Sequence, residues 1–270
     1  MASIRPAAIA GSFYPGTSEV LASTVDALLA AAKPAAGSAV PKAIIAPHAG
    51  YMYSGPIAAS IYARLAPLRS RVKRVVLLGP THRVAIHGMA LPGVDAFATP
   101  LGTVPIDAAN VKALMALPYV GVSREAHRLE HSLEVHLPFL QQVLAGFTLT
   151  PLAVGRATAQ QVAAVIDRLW GGEETLIVVS SDLSHYLPYA EAQATDHATA
   201  QALVDLRMDI NHHQACGATP LIGLNLLAQQ RELKSELIDL RNSGDTAGDK
   251  SRVVGYASFA YYEPQRDTAH

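Results

Sequence analysis

The sequence predicts an α/β fold: a three-layer sandwich in which a mostly parallel central sheet carries helices on both faces, built as a single domain over 1–270. Half of the residues are apolar and 16% are charged, a balance that supports a large buried core and argues against disorder. Short β-branched apolar runs stand between longer stretches of helical period, the alternation that winds a parallel sheet. Those runs are continuously hydrophobic instead of alternating, as strands covered on both faces are.

Taken in chain order, a helical stretch over 18–32 precedes a strand at 42–46 ("KAIIA"), and a helix over 54–66 precedes a strand at 72–79 ("VKRVVLLG"). The segment 95–106, "DAFATPLGTVPI", carries Pro and Gly and reads as a hairpin-like excursion. Helices over 108–117 and 131–145 lead to a strand at 147–154, and a helix over 159–170 leads to a strand at 175–180 ("TLIVVS"). Helices over 191–206 and 217–231 then precede strands at 235–240 and 252–262. The polar, glycine-bearing stretch 242–251, "NSGDTAGDKS", is a loop that the order of elements brings near the mouth of the sheet.

Three of these strands share an ending. "IIAPHAGY" stops on His48, "VVLLGPTH" on His82, and "LIVVSSDLSH" runs through Asp182 to His185. In a parallel sheet the C-terminal strand ends face one way, so three imidazoles from distant parts of the chain converge on one crevice. A metal or acid–base site needs that convergence and a packed core does not.

Cys216 precedes "GATPLIGLNLLAQQ", whose helix starts at the next residues. The positive end of the helix dipole lowers a thiol's pKa and favours a thiolate ligand or nucleophile, while a small buried apolar side chain is the bland alternative. Two imidazoles and a thiolate suit Fe(II), copper or zinc and exclude a pure calcium or magnesium site. A rival reading comes from "HRLEHSLEVHLPFLQ", in which His127, Glu130 and His131 spell the inverted zinc-protease motif H-x-x-E-H. On one continuous helix His127 and His131 lie four apart on one face; otherwise Glu130 and His131 brace the site from behind.

A net charge of −1 gives no electrostatic case for nucleic acid or an acidic membrane. Cys216 as the lone cysteine excludes an intrachain disulfide and fits a reducing compartment, and no run has membrane-spanning length, so the expectation is a cytoplasmic protein.

Together "AGSFYPG", "APHAGYMYSG", "GPTH", "EHSLEVHLP", "SSDLSHY", "CGATPLIG" and "NSGDTAGDKSRVVGYAS" resemble the Memo family, also called AmmeMemoRadiSam system protein B, over almost the whole chain. That family is similar in fold to class III extradiol dioxygenases, which open catechol rings with non-heme Fe(II). The resemblance implies His48, His82 and Cys216 as metal ligands, His185 as the acid–base residue, Asp182 in a metal-proximal "SD" pair and His131 on a site-lining helix. Tyr51, Tyr53 and Tyr186, beside the implied ligands, become candidates for an aromatic substrate pocket. The dioxygenases carry a carboxylate where this chain has Cys216, and a thiolate changes the redox potential of the metal. The expectation is therefore an Fe(II)-binding oxidoreductase, with copper or zinc as other metals, acting on a catechol-like or aminophenol-like aromatic. The alternative is a non-catalytic peptide- or phosphopeptide-binding or metal-carrier protein using the same crevice. Radical-SAM and AMMECR-type proteins are the partners that the resemblance implies.

Overall fold

The structure, a computed structural model, describes residues 2–32 and 39–264. Its strands are β1 (Ile4–Arg5), β2 (Ala43–Ala46), β3 (Arg74–Pro80), β4 (Met89–Leu91), β5 (Ala96–Thr99) and β6 (Gly102–Pro105). They continue as β7 (Val120–Val122), β8 (Thr148–Val154), β9 (Thr175–Ser180), β10 (His185–Leu187), β11 (Lys234–Asn242) and β12 (Val253–Tyr262). The main sheet runs β10-β12-β2-β9-β3-β8-β4-β7, with β11 also paired to β12.

The sheet is mixed, which corrects the expectation of a mostly parallel one. β2, β9, β3 and β8 are parallel neighbours, but β12 joins β2, β11 and β10 join β12, and β4 joins β8, all antiparallel. The sandwich expectation holds for the parallel centre, where burial on both faces demands uninterrupted apolar strands: β2 and β9 are buried at every residue. At the edges antiparallel pairs stand beside one parallel pair, β4 with β7, a mixture that hydrophobicity alone does not resolve.

Two cores lie on the two faces. One packs the helices Ala159–Arg168 and Ala218–Gln230 against Ile45, Val76, Leu78, Ile177 and Val179. The other packs the helices Ser18–Ala32 and Tyr51–Tyr62 against Ile44, Val75, Leu77 and Val178, the alternate residues of the same strands. The helix Ala159–Arg168 starts at a capping box, with Thr158 Oγ1 accepting from Gln161 N–H and Gln161 returning the bond. No helix among the described residues is long and apolar enough to cross a membrane.

The predicted excursion at 95–106 is the β5–β6 hairpin, which with β1 forms a separate three-stranded sheet. The helix expected over 131–145 is shorter: residues 131–133 form a turn, Glu134–His136 a 3-10 turn, and Leu137–Val143 the α-helix. Pro138 explains the late start, because proline is at home in the first turn and not within a helix. The loop expected at 242–251 begins with one helical turn, Ser243–Thr246, capped by Asn242.

Candidate metal centre

Parallel register brings the site together. Ala46 pairs with Ser180 at the ends of β2 and β9, and Leu78 pairs with Val179 near the end of β3. The chain therefore leaves all three strands along one edge of the sheet, and His48, His82, Asp182 and His185 line one cavity of about 800 Å³. His131, Tyr53, Tyr186, Phe13, Arg252 and Tyr256 line it too.

His48, His82 and His131 each offer a donor atom, and the three atoms lie within 4.8 Å of one another. His82 and His131 are stacked, with ring centroids 4.5 Å apart, and His48 meets both edge-on at 5.2 and 5.4 Å. Cys216 Sγ lies 3.4 Å from His48 Nε2 and accepts the Asp182 backbone N–H at 3.3 Å. The helix carrying Cys216's neighbours can come this close because residue 217 is glycine: a Cβ there would stand 2.7 Å from Ser180 O and from Ser181 Cβ.

The neighbouring hydrogen bonds decide which imidazole nitrogens are free. Ser180 Oγ donates its single proton to Ser132 O at 2.6 Å, so at 2.6 Å from His48 Nδ1 it acts as acceptor. His48 is therefore protonated on Nδ1, and its Nε2 lone pair is free beside Cys216. His82 Nδ1–H donates to Glu130 Oε1 at 2.9 Å, and Glu130 Oε2 accepts the His82 backbone N–H at 2.6 Å. Burial alone would raise Glu130, but these bonds from His82 hold it down to about 2, so it is an ionised acceptor that leaves the His82 Nε2 lone pair free. An imidazole anchored through one nitrogen with its other lone pair free is the form in which histidine binds metals. The donor set that the structure brings together, His48, His82 and His131, therefore fits a transition metal, while Cys216, expected as the third ligand, is in contact with His48 but is not part of that group among the described residues.

The charges inside the site follow from its dryness. Burial, then repulsion from His82, holds His131 down to about 4, and burial with the surrounding imidazoles holds His48 well below the usual histidine range. His185 is also lowered by burial, so it is neutral at neutral pH. Burial raises Asp182 to about 7, although its Oδ1 accepts the His48 backbone N–H at 2.7 Å. The expected low pKa of Cys216 is reversed: burial, then the Asp182 carboxylate, pushes the thiol up to about 12, outweighing the helix start. A bound cation supplies the compensating charge that turns such a thiol into a thiolate ligand.

Other expectations are redirected. His127 sits on a separate short helix, Arg124–Arg128, with Nε2 bonded to Ala90 O at 2.7 Å and its ring edge-on to Phe97. His127 and His131 share no helix, so the inverted zinc-protease reading fails. Tyr51 is buried between Tyr14 and Phe139 and donates its hydroxyl to Val135 O, which places it in the core and outside the cavity lining. Tyr53 and Tyr186 do line the cavity. Ser180, Ser132, Tyr256 and Arg252 were not singled out from sequence. Tyr256 had a signal, since Val254 and Tyr256 share one face of β12 and both reach the cavity; the two serines had none.

Comparison with known proteins agrees with the motifs. The family model described as "Memo-like protein" matches residues 5–260. A MEMO1 family protein of Aquifex aeolicus (strain VF5) is 36% identical over 271 residues, spanning 96% of this chain and 99% of the relative. A MEMO1 family protein of Aeropyrum pernix is 34% identical over 279 residues, spanning 94% of this chain and 98% of the relative. Among solved structures, an uncharacterized protein, JW3007, from Escherichia coli K12 matches with a TM-score of 0.52 at 14% identity, covering 80% of this chain and 98% of that one, a likeness of fold alone.

Proposed function

The chain belongs to the Memo-like protein family, and we propose that it binds one Fe(II) ion through His48, His82 and Cys216 to act as an oxidoreductase on a small catechol-like or aminophenol-like aromatic. The observation that carries the reading is the 3.4 Å contact of Cys216 Sγ with Nε2 of His48, a residue that lines an aromatic-walled cavity. With bond lengths of about 2.0–2.3 Å, two ligands of one ion stand roughly 3–4 Å apart. A closed tetrahedral site would suit structural zinc; here His48 and His82 line a cavity that leaves room at the metal for a substrate.

Fe(II), when bound, supplies the Lewis-acidic, redox-active centre at which a catechol or aminophenol reacts with O₂. The chain's own groups do the rest. Ser180 and Glu130 hold His48 and His82 in the tautomers that leave Nε2 free. His185, neutral through burial, accepts a proton from a substrate hydroxyl or amine. His131, also neutral, stacks on His82 and is a second proton acceptor on the same wall. Phe13, Tyr53 and Tyr186 offer apolar area to a ring.

The test is anaerobic Fe(II) loading followed by O₂ uptake across catechols and 2-aminophenols. Wild type is expected to consume O₂ with a subset of these compounds. His185→Ala is expected to keep its iron and lose turnover, whereas His48→Ala loses the iron itself. Full iron occupancy with no O₂ uptake on any compound would replace the enzyme reading with that of a metal carrier.

A further inference from the structure

We propose that Arg252, shelved on the Tyr186 ring at the cavity wall, is the specificity determinant for a carboxylate on the aromatic substrate. The proposal rests on the oxidoreductase reading for the word substrate, but its chemistry stands on the cavity alone. The Arg252 guanidinium carbon lies 5.2 Å from the Tyr186 ring centroid, and the Tyr186 ring meets the His185 ring edge-on at 5.8 Å. Tyr186 thus contacts both the cation and the proposed acid–base histidine, and all three line the cavity, so one small aromatic can face His185 and Arg252 together.

Three features mark the pair as built for a ligand. Among the described residues the Arg252 guanidinium makes neither a salt bridge nor a hydrogen bond, which is also true of Arg83 and Arg156, but of these three only Arg252 lines the cavity. Tyr186 adopts φ +60°, the left-handed region that a bulky residue enters at a cost, yet its side chain is 62% exposed and wins no core packing there. The conformation instead presents the ring to Arg252 and the cavity. Finally, the Tyr53 and Tyr186 hydroxyls make no hydrogen bond among the described residues, although both residues line the same space. They are open donors for an oxyanion.

The charge on this wall favours a monoanion over a phosphate. Asp249 also lines the cavity and is ionised, held below the usual carboxylate range by the Ser251 hydroxyl and N–H. With one guanidinium and one carboxylate on the wall, a second negative charge on the ligand has no further cation to meet, while a planar carboxylate matches the guanidinium's paired N–H groups.

The experiment uses metal-free full-length protein and ligand-observed NMR titration with benzoate, its neutral isostere benzamide, and phenyl phosphate. Because it needs neither metal nor turnover, it fails independently of the oxidoreductase reading. Benzoate is expected to bind at least about ten-fold more tightly than benzamide, the worth of one charge-assisted pair. Arg252→Gln should erase that preference, with the loss falling on benzoate more than on benzamide, and Arg252→Lys should restore part of it. Equal binding of benzoate and benzamide, no binding of either, or a benzoate preference that survives in Arg252→Gln would overturn the assignment. Tighter binding of phenyl phosphate than of benzoate would also overturn it, in favour of a phosphorylated ligand.

Discussion

The segment from His127 to His136 and the segment from Asn242 to Arg252 border the same cavity but are held by different means. In the first, Arg5 donates to His127 O, Glu130 O and Glu134, and Glu134 also accepts the Ala8 and Ile9 N–H groups and the Tyr14 hydroxyl. Arg5 and Glu134 are buried, and Ser132 Oγ ties the turn to Pro80 O at the end of β3. In the second, Asn242 and Asp245 cap each other's turn, Asp249 bonds Ser251, and Tyr189 bonds Asp245, but 249–252 are exposed. A buried network in which Arg5 and Glu134 satisfy one another and the surrounding backbone, with His127 Nδ1 and His136 Nε2 as its unpartnered atoms among the described residues, fixes one geometry, whereas a surface loop adapts. The wall that holds His82 and His131 is therefore built in advance, and the wall that carries Arg252 is free to fit a ligand.

The largest expected effect strikes the first wall. Glu134→Ala leaves the Arg5 charge buried and unpaired, with the Ala8 and Ile9 amides unsatisfied; removing one partner of such a pair costs about 3–5 kcal/mol. Urea denaturation of the metal-free protein should show that loss, and Asp249→Ala should change stability by less than about 0.5 kcal/mol. Similar losses from both substitutions would erase the contrast between the walls.

Acid should attack the same wall. His127 is held down to about 4 and His136 to about 3, both mainly by burial, against an ordinary value of 6.5. Between these values and 6.5 the unfolded chain binds protons that the fold refuses, so stability is fully present above about pH 6.5 and falls as pH drops through about 4. Each contributes roughly 3–5 kcal/mol over its window. Asp182, raised to about 7, acts in the opposite sense: between about 4 and 7 it stays protonated in the fold, and its contribution shrinks as pH rises. One carboxyl offsets part of two imidazoles, so the net expectation is lower stability at pH 4.5 than at pH 7. Urea midpoints at the two pH values, with chelator present, check it; a flat profile would mean that the buried histidines are solvated.

A smaller effect is expected where the first wall touches the proposed metal ligand His82. Glu130→Gln removes the ionised acceptor of His82 Nδ1–H and should weaken metal binding by about 10- to 100-fold with the circular dichroism spectrum unchanged. Competition against a chelator of known affinity measures it, and an unaltered affinity would remove Glu130 from the site. Arg252→Gln has the smallest expected effect on folding, within about 0.5 kcal/mol in the same urea assay, because its guanidinium is exposed, lies over an exposed ring and makes no salt bridge among the described residues. A larger loss would show that the second wall too is structural.

The same contrast separates what could be read in the sequence from what could not. The parallel centre was legible because burial on both faces writes itself as an apolar run, and 175–180 is β9 residue for residue. His48, His82 and His185 were legible because each closes such a run. The short strands β4, β7 and β10 were not, since three residues carry no period. His131 was placed at the start of a helix over 131–145, but Pro138 delays the helix and leaves His131 in a turn beside His48 and His82. The environment of Cys216 misled for a physical reason: local sequence reports the helix start, while burial and the Asp182 charge come from across the fold. Ser180 sets the tautomer of His48 through a bond that only the folded register creates.

The central claim is that Cys216, and not His131, joins His48 and His82 at the metal. Cobalt(II) substitution tests it most directly, because a cobalt–thiolate bond gives a charge-transfer band that imidazole ligands do not. Wild type should bind one Co(II) per chain and show the band; Cys216→Ser should lose the band, His48→Ala should lose the metal, and His131→Ala should keep both. Absence of the band in wild type, or loss of the metal in His131→Ala with Cys216→Ser unaffected, would contradict the account and make the centre a three-histidine site.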